Sequence, residues 1–208
     1  MANAIAPAQT FAIVFLMMKK SLLALSSIAL LLMASSGLAA TAFEARQIAE
    51  KMLSDQARGK LIKAVAQKGE SVTPDSWRFI FFDPFGSQNG RLIVVTGKAV
   101  TEIRDGYVEL DEVRLAAYKE DEIIPTSELK IDSDKALAIV QKAALMQTVK
   151  LSAVQYELKK SKGNVSPVWT LTLYADVKGV SKEIGSAKLS AETGQIFDLK
   201  IDNQKLVK

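Results

Sequence analysis

The chain has 208 residues, no cysteine and no histidine, and its 27 lysine and arginine side chains nearly balance 23 acidic ones. Without cysteine there are no disulfides, thiol nucleophiles or thiolate metal ligands, and without histidine a Ser-His-Asp triad is excluded. Charges of both signs are interspersed, so the basic stripe of a nucleic-acid-binding protein is missing and no nucleic-acid partner is predicted. No cofactor or metal is predicted either, because the acidic residues do not follow the spacing of a calcium-binding loop.

The first forty residues have the three parts of an export signal. Lys19 and Lys20 are followed by an apolar run over residues 22 to 34 and then by small residues that end at Ala40. This order predicts a secretory signal peptide that is cleaved after Ala40. The mature protein would therefore begin at residue 41 and work in the periplasm or outside the cell.

The cleavage site and the start of this segment have alternatives. Gly37 and Ala39 also permit cleavage after Ala39, and Ala40 and Ala42 permit cleavage after Ala42. An uncleaved signal would form a membrane anchor over residues 22 to 42. The membrane would then be contacted only through this segment. Met17 and Met18 directly precede the basic pair, which predicts that translation starts at one of them.

The first half of the mature chain is predicted to open with helices and to continue with strands. Helical spacing of apolar residues over 42 to 68, interrupted near Gly59, predicts two helices. The aromatic run over 77 to 83 predicts a strand that turns into a second strand over 91 to 104. A further strand is predicted over 107 to 118.

The second half repeats this order. An Asp-Ser-Asp cap and helical periodicity predict a helix over 132 to 145. Alternating apolar and polar residues then predict strands over 154 to 158, 168 to 175 and 184 to 189. The last hairpin turns at Gly194, whose structural role is to adopt the positive φ of a tight turn.

The two halves correspond at a pitch of about 90 residues, with Trp77 and Trp169 at equivalent places. The predicted fold class is therefore α+β, a tandem repeat of units that each combine a helix with an antiparallel β-meander. After the signal segment, the units are predicted to span residues 41 to 126 and 127 to 208. Equivalence in a repeat predicts that both tryptophans are structural core residues.

Residues 132 to 201 resemble a PepSY-type domain. The resemblance depends on the helix, the Trp169 strand and the final hairpin, where Ala191, Thr193 and Gly194 match the family's turn and Ser190 replaces its usual aspartate. The first half matches only in architecture, as a divergent copy. The resemblance implies a helix on a cystatin-like meander, occurrence in secreted or membrane proteins, and binding without chemistry, including the restraint of peptidases. A secreted β-lactamase inhibitor protein has a similar tandem plan.

Four phenylalanines form the candidate interface. Phe79, Phe81, Phe82 and Phe85 cannot all lie on one face of a strand, so some of them need cover from another element or from a partner. The sequence therefore predicts that a partner contacts this region.

The predicted function is that of an exported, non-enzymatic binding module whose partner is a protein or peptide of the cell envelope, such as a peptidase that it restrains. One alternative is a small-ligand carrier with a cavity between sheet and helix. Another is a hydrolase that uses carboxylates or a Ser-Lys pair, either Ser161 with Lys160 or Ser133 with Lys135. No catalytic residue is assigned.

Overall fold

The computed structural model describes residues 39–106, 116–160 and 166–205. Most of the predicted signal segment, and residues 107–115 of a predicted strand, therefore lie outside the described residues. No helix among the described residues has the length and hydropathy needed to cross a bilayer.

The described residues form one antiparallel sheet of eight strands together with two short α-helices. The helices are α1 (Ala42–Glu50) and α2 (Ser133–Gln141). The strands are β1 (Leu61–Ala66), β2 (Ser76–Phe82), β3 (Gly90–Thr96), β4 (Ala99–Asp105), β5 (Leu151–Lys160), β6 (Pro167–Val177), β7 (Val180–Ser190) and β8 (Ile196–Ile201). Their order across the sheet is β4-β3-β2-β1-β5-β6-β7-β8.

The predicted tandem repeat of helix-plus-meander units is wrong, because a single continuous sheet runs through both halves. β1 pairs with β5, with Lys63 opposite Lys159 and Ala66 opposite Tyr156. A separate meander would leave the backbone groups of its first strand unpaired, whereas this pairing satisfies two strand edges at once. The division between residues 126 and 127 falls in a short 3-10 turn, Thr126–Glu128, and stays a prediction.

Two local predictions also need correction. The second helix expected before residue 68 is instead strand β1, whose Leu61, Ala64 and Ala66 enter the core, with a bulge between Leu61 and Lys63. Pairing with strands on both sides overrides the helical spacing of its apolar residues. The single strand expected over 91 to 104 is two strands that turn at Gly97, where φ is +59°. Residues 116–118 of the predicted third strand belong to no strand.

The main core lies between the sheet and the two helices. Alternate side chains of the central strands, among them Phe79 and Leu171, pack with the apolar sides of α1 and α2. At its centre, the rings of Trp77 and Trp169 meet edge to face, with centroids 6.2 Å apart. Both helices therefore cover the same face of the sheet.

The two helices begin side by side, and side chains at the start of α2 cap the start of α1. Thr41 closes a capping box with Glu44 at the start of α1. The next two backbone N–H groups of α1 bond across to α2: Ala42 N donates to Ser133 Oγ at 3.0 Å and Phe43 N donates to Asp132 Oδ1 at 3.1 Å. The start of one helix thus satisfies backbone donors at the start of the other.

A second, smaller core lies on the opposite face, over β1 to β3. Ile62, Ile80, Phe82 and two residues of β3, Leu92 and Val94, pack there under Tyr118 and Ile123. Residues 116–124 lie across this face, and Ile124 N donates to Leu61 O at 2.7 Å. No described element covers the same face over β5 to β8.

Candidate functional site

The four phenylalanines of the predicted interface occupy three different environments. Phe79 and Phe81 are fully buried beneath the helices, and Phe82 lies in the smaller core on the other face. Only Phe85, in the loop between β2 and β3, faces solvent, with 79% of its surface exposed. The structure thus separates these four residues and leaves one of them free for a partner.

The three residues predicted to be structural, Trp77, Trp169 and Gly194, are all buried. Trp77 and Trp169 are 1% and 0% exposed. Trp77 Nε1 donates to Ala40 O at 2.9 Å, and Trp169 Nε1 donates to Ile131 O at 2.8 Å. Gly194 has φ +76°, and a Cβ there would lie 2.7 Å from Ile139 Cδ1, so both backbone and packing require glycine.

The geometry of Ser133 and Lys135 does not form a nucleophile and a base. The buried hydroxyl of Ser133 accepts the N–H of Ala42, whereas Lys135 is exposed on α2. Residues two apart on a helix do not face each other. Of the other pair, Ser161 lies outside the described residues, and Lys160 Nζ donates to Asp121 O at 3.1 Å.

Among the described residues, Tyr156 has the most strongly shifted pKa. Burial raises the pKa of its phenol well above the usual value, and the negative charge of Asp134 raises it further. The hydroxyl donates to Val72 O at 2.8 Å. The phenol is therefore a neutral hydrogen-bond donor in the core, and it cannot act as a base near neutral pH.

Two depressions among the described residues are lined mainly by polar side chains. One of about 220 Å³ lies between the end of β1 and the start of β2, beside Lys68, Asp75 and Arg78. The other, a wide groove of about 490 Å³, lies beside Glu50 and Arg58. Neither has the apolar lining typical of a small-ligand pocket. The described residues contain no group of three acidic side chains placed to hold a metal ion.

No described element covers the polar side of β5 to β8, which is continued by parts of β1 and β2. We call this surface the open face. Strand alternation directs its side chains away from the helices. Its residues are Lys63, Val65, Arg78, Gln155, Glu157, Lys159, Thr170, Thr172, Tyr174, Glu183, Ser186, Lys188, Asp198 and Lys200.

Strand register aligns these side chains in rows across the sheet. One row runs through Arg78, Val65, Glu157, Thr170 and Lys188 and reaches β8, because each residue lies opposite the next on the neighbouring strand. Six strands at a spacing of about 4.8 Å make the row about 24 Å wide. The open face is therefore a broad, shallow surface and not a cleft.

The open face has a mixed but positive charge. Five cationic and three acidic side chains give it a net charge of +2. Glu157 lies between Lys63 and Lys159, and Lys200 Nζ lies 2.9 Å from Asp198 Oδ2. Arg78 and Lys188 form no ion pair with any described residue, so they remain available to an acidic group.

Sequence reasoning missed the open face as a site. The alternation of Thr170, Thr172 and Tyr174 with apolar neighbours was visible and marked one polar side of a strand. The sequence of a single strand does not show that strands of both halves pair side by side and align their polar sides into one surface.

Comparison of the chain with protein-family models, curated proteins and solved structures gives no match. The resemblance to PepSY-type domains therefore stays a prediction from the sequence.

Proposed function

We propose that this chain is an exported, non-enzymatic module that binds a protein partner through the open face. The observation that supports the proposal is the contrast between the two sides of the sheet. Helices cover one side, and residues 116–124 cover part of the other, while a continuous polar surface stays uncovered by any described element.

The dimensions of the open face suit a macromolecule. From Val168 to Tyr174, β6 runs about 20 Å, so the surface measures roughly 500 Å² with the width given above. A standard protein interface buries about 800 Å² on each partner. The open face therefore fits a small, reversible interface, to which neighbouring loops can add area.

Its chemistry favours a partner with exposed acidic groups. Arg78 and Lys188 lie on strands four spacings apart, about 19 Å, and neither is neutralised by a described residue. Complementary charges at such positions steer encounter and fix orientation. The hydroxyl groups between them, on Thr170 and Thr172, supply hydrogen bonds. A peptidase is the class of partner that the PepSY resemblance implies.

Site-specific photo-cross-linking in the producing cell tests this proposal. A photoreactive phenylalanine analogue replaces Thr170 on the open face or, as a control, exposed Lys142 at the end of α2. We expect a discrete cross-linked protein band with the analogue at residue 170 and none at residue 142. Equal labelling at both positions, or none at residue 170, would contradict the proposal.

Charge reversal provides a matched second measurement. Lys188→Glu reverses a charge on the open face, whereas Lys182→Glu reverses an exposed charge on the same strand that lies opposite Ala175, on the helix side. We expect the first change to weaken cross-linking at residue 170 about tenfold and the second to leave it unchanged. Equal effects of the two changes would show that the open face is not the contact surface.

A further inference from the structure

We infer that the export signal is removed between Ala39 and Ala40, so that Ala40 becomes the first residue of the mature protein. This site differs from the cleavage after Ala40 that the sequence predicts. The inference rests on the predicted export signal and is independent of what the open face binds.

Ala40 belongs to the folded core. It is 3% exposed, and its carbonyl accepts the indole N–H of Trp77 at 2.9 Å. Cleavage after Ala40 would remove this acceptor and leave a buried donor in the centre of the core without a partner. An unsatisfied buried donor is far more costly than a hydrogen bond exchanged with water.

A second contact in the chain shows that this hydrogen bond is part of the architecture. Trp169 donates to the carbonyl of Ile131, which directly precedes the cap of α2, as Ala40 directly precedes the cap of α1. The Ile131 carbonyl lies in the middle of the chain and is retained in every mature form. The residue before each helix cap therefore accepts the indole N–H of a core tryptophan through its backbone carbonyl.

Cleavage after Ala42 would remove still more of the fold. It would delete Thr41, which caps α1, and Ala42, whose N–H donates to Ser133 Oγ. Phe43 N would become a terminal amine beside Asp132. Cleavage after Ala39, in contrast, retains all of these contacts. The new terminal amine is then that of Ala40, which is followed by the partly exposed Thr41.

The sequence around the proposed site agrees with this choice. Signal cleavage favours small side chains at the last residue of the signal and two residues before it. Cleavage after Ala39 places Ala39 and Gly37 at these positions, whereas cleavage after Ala40 places bulky Leu38 at one of them. Cleavage after Ala42 also meets the sequence rule, with Ala40 and Ala42. It differs from cleavage after Ala39 in that its product lacks the cap of α1 and the hydrogen bond from Ala42 N to Ser133 Oγ.

Export of the full chain in a bacterial host, followed by N-terminal sequencing of the processed product, tests the inference. We expect the product to begin Ala-Thr-Ala. A product that begins Thr-Ala-Phe or Phe-Glu-Ala, or that keeps the signal, would overturn the inference.

Two single substitutions provide matched controls in the full chain. Ala39→Leu removes the small residue required at the proposed site, and we expect at least a tenfold loss of the product that begins at residue 40. Ala40→Leu removes a small residue from both competing sites but leaves Gly37 and Ala39 intact, and we expect processing that yields a product beginning with leucine. Sequencing from denatured total protein makes both results independent of folding, and the opposite pattern would overturn the inference.

Discussion

Three aromatic side chains at the centre of the core combine ring packing with polar contacts. The ring of Tyr156 lies 5.7 Å from that of Trp77 and 6.3 Å from that of Trp169, between centroids. Each of the three donates a hydrogen bond to a backbone carbonyl outside the strands. The polar atoms of these side chains therefore anchor connecting segments to the core, while their rings fill the space between sheet and helices.

The raised pKa of Tyr156 predicts that the protein loses stability at alkaline pH. Because burial raises the pKa of its phenol above the ordinary 10.0, the unfolded chain releases this proton at lower pH than the folded chain does. The stabilisation is fully present below about pH 10 and is lost as pH rises beyond it. We expect Tyr156→Phe to lower the free energy of unfolding by about 1 kcal/mol at pH 7, because it removes a buried hydrogen bond. Above pH 10, the free energy of unfolding of this variant should fall less steeply with pH than that of the unmodified protein.

Urea unfolding at pH 7 to 11 measures this effect. Tyr174→Phe serves as the comparison. Burial and Glu183 raise the pKa of Tyr174 too, but its side chain is more exposed and forms no hydrogen bond with a described residue, so we expect a smaller change in the pH profile than for Tyr156→Phe. Parallel pH profiles of the unmodified protein and Tyr156→Phe would contradict the assignment of alkaline sensitivity to Tyr156.

At the scale of elements, the two helices depend on each other more than on their own propensity. Each has only nine residues, which is too short for a stable isolated helix in water. Asp132 Oδ1 accepts from Ser133 N at 2.6 Å within α2 and from Phe43 N at 3.1 Å in α1. One carboxylate thus lies at the positive ends of two helix dipoles.

Asp132 is therefore expected to contribute more to stability than an ordinary cap. We expect Asp132→Ala to lower the free energy of unfolding by about 2 kcal/mol, which is at the upper end for a helix cap. The reason is that this change removes an acceptor used by backbone N–H groups of both helices. Asp132→Asn should lose less because it keeps an acceptor. Urea unfolding at pH 7 measures both changes. Asp134→Ala removes an exposed charge from the same first turn and should cost less than Asp132→Ala; an equal loss would contradict the shared cap.

At the scale of the whole molecule, the decisive feature is the pairing of β1 with β5. It joins strands about 90 residues apart in sequence into one sheet. It also lets Trp77 from one half contact Trp169 from the other. Three kinds of contact therefore join the halves: backbone pairing, ring packing and the shared helix caps.

This arrangement predicts that neither half folds independently. Fragments 39–126 and 127–208 each have fewer than about 90 residues, and separation would expose the shared edge and half of the core. We expect each fragment alone to show no cooperative urea unfolding by circular dichroism, and an equimolar mixture to recover the sheet signal. A fragment that alone matches the stability of the full chain would contradict this prediction.

Much of the local structure follows from the sequence alone. The cap of α2, the alternation of β6 and the turn at Gly194 each depend on neighbouring residues, so their pattern is visible without a fold. The polar side of β6 could be predicted for the same reason, because it follows from the alternation of apolar and polar residues along one strand. Strand β1 was mistaken for a helix because its identity depends on partners on both sides.

Tertiary structure alone decided which surfaces are covered. The phenylalanines of β2 look like an interface in sequence, but the helices bury two of them and residues 116–124 cover a third. The open face arises only when β1 joins β5 and aligns polar residues from both halves. Local periodicity determines which side chains share a face of a strand, whereas strand partners and covering segments are set by contacts between residues far apart in the chain.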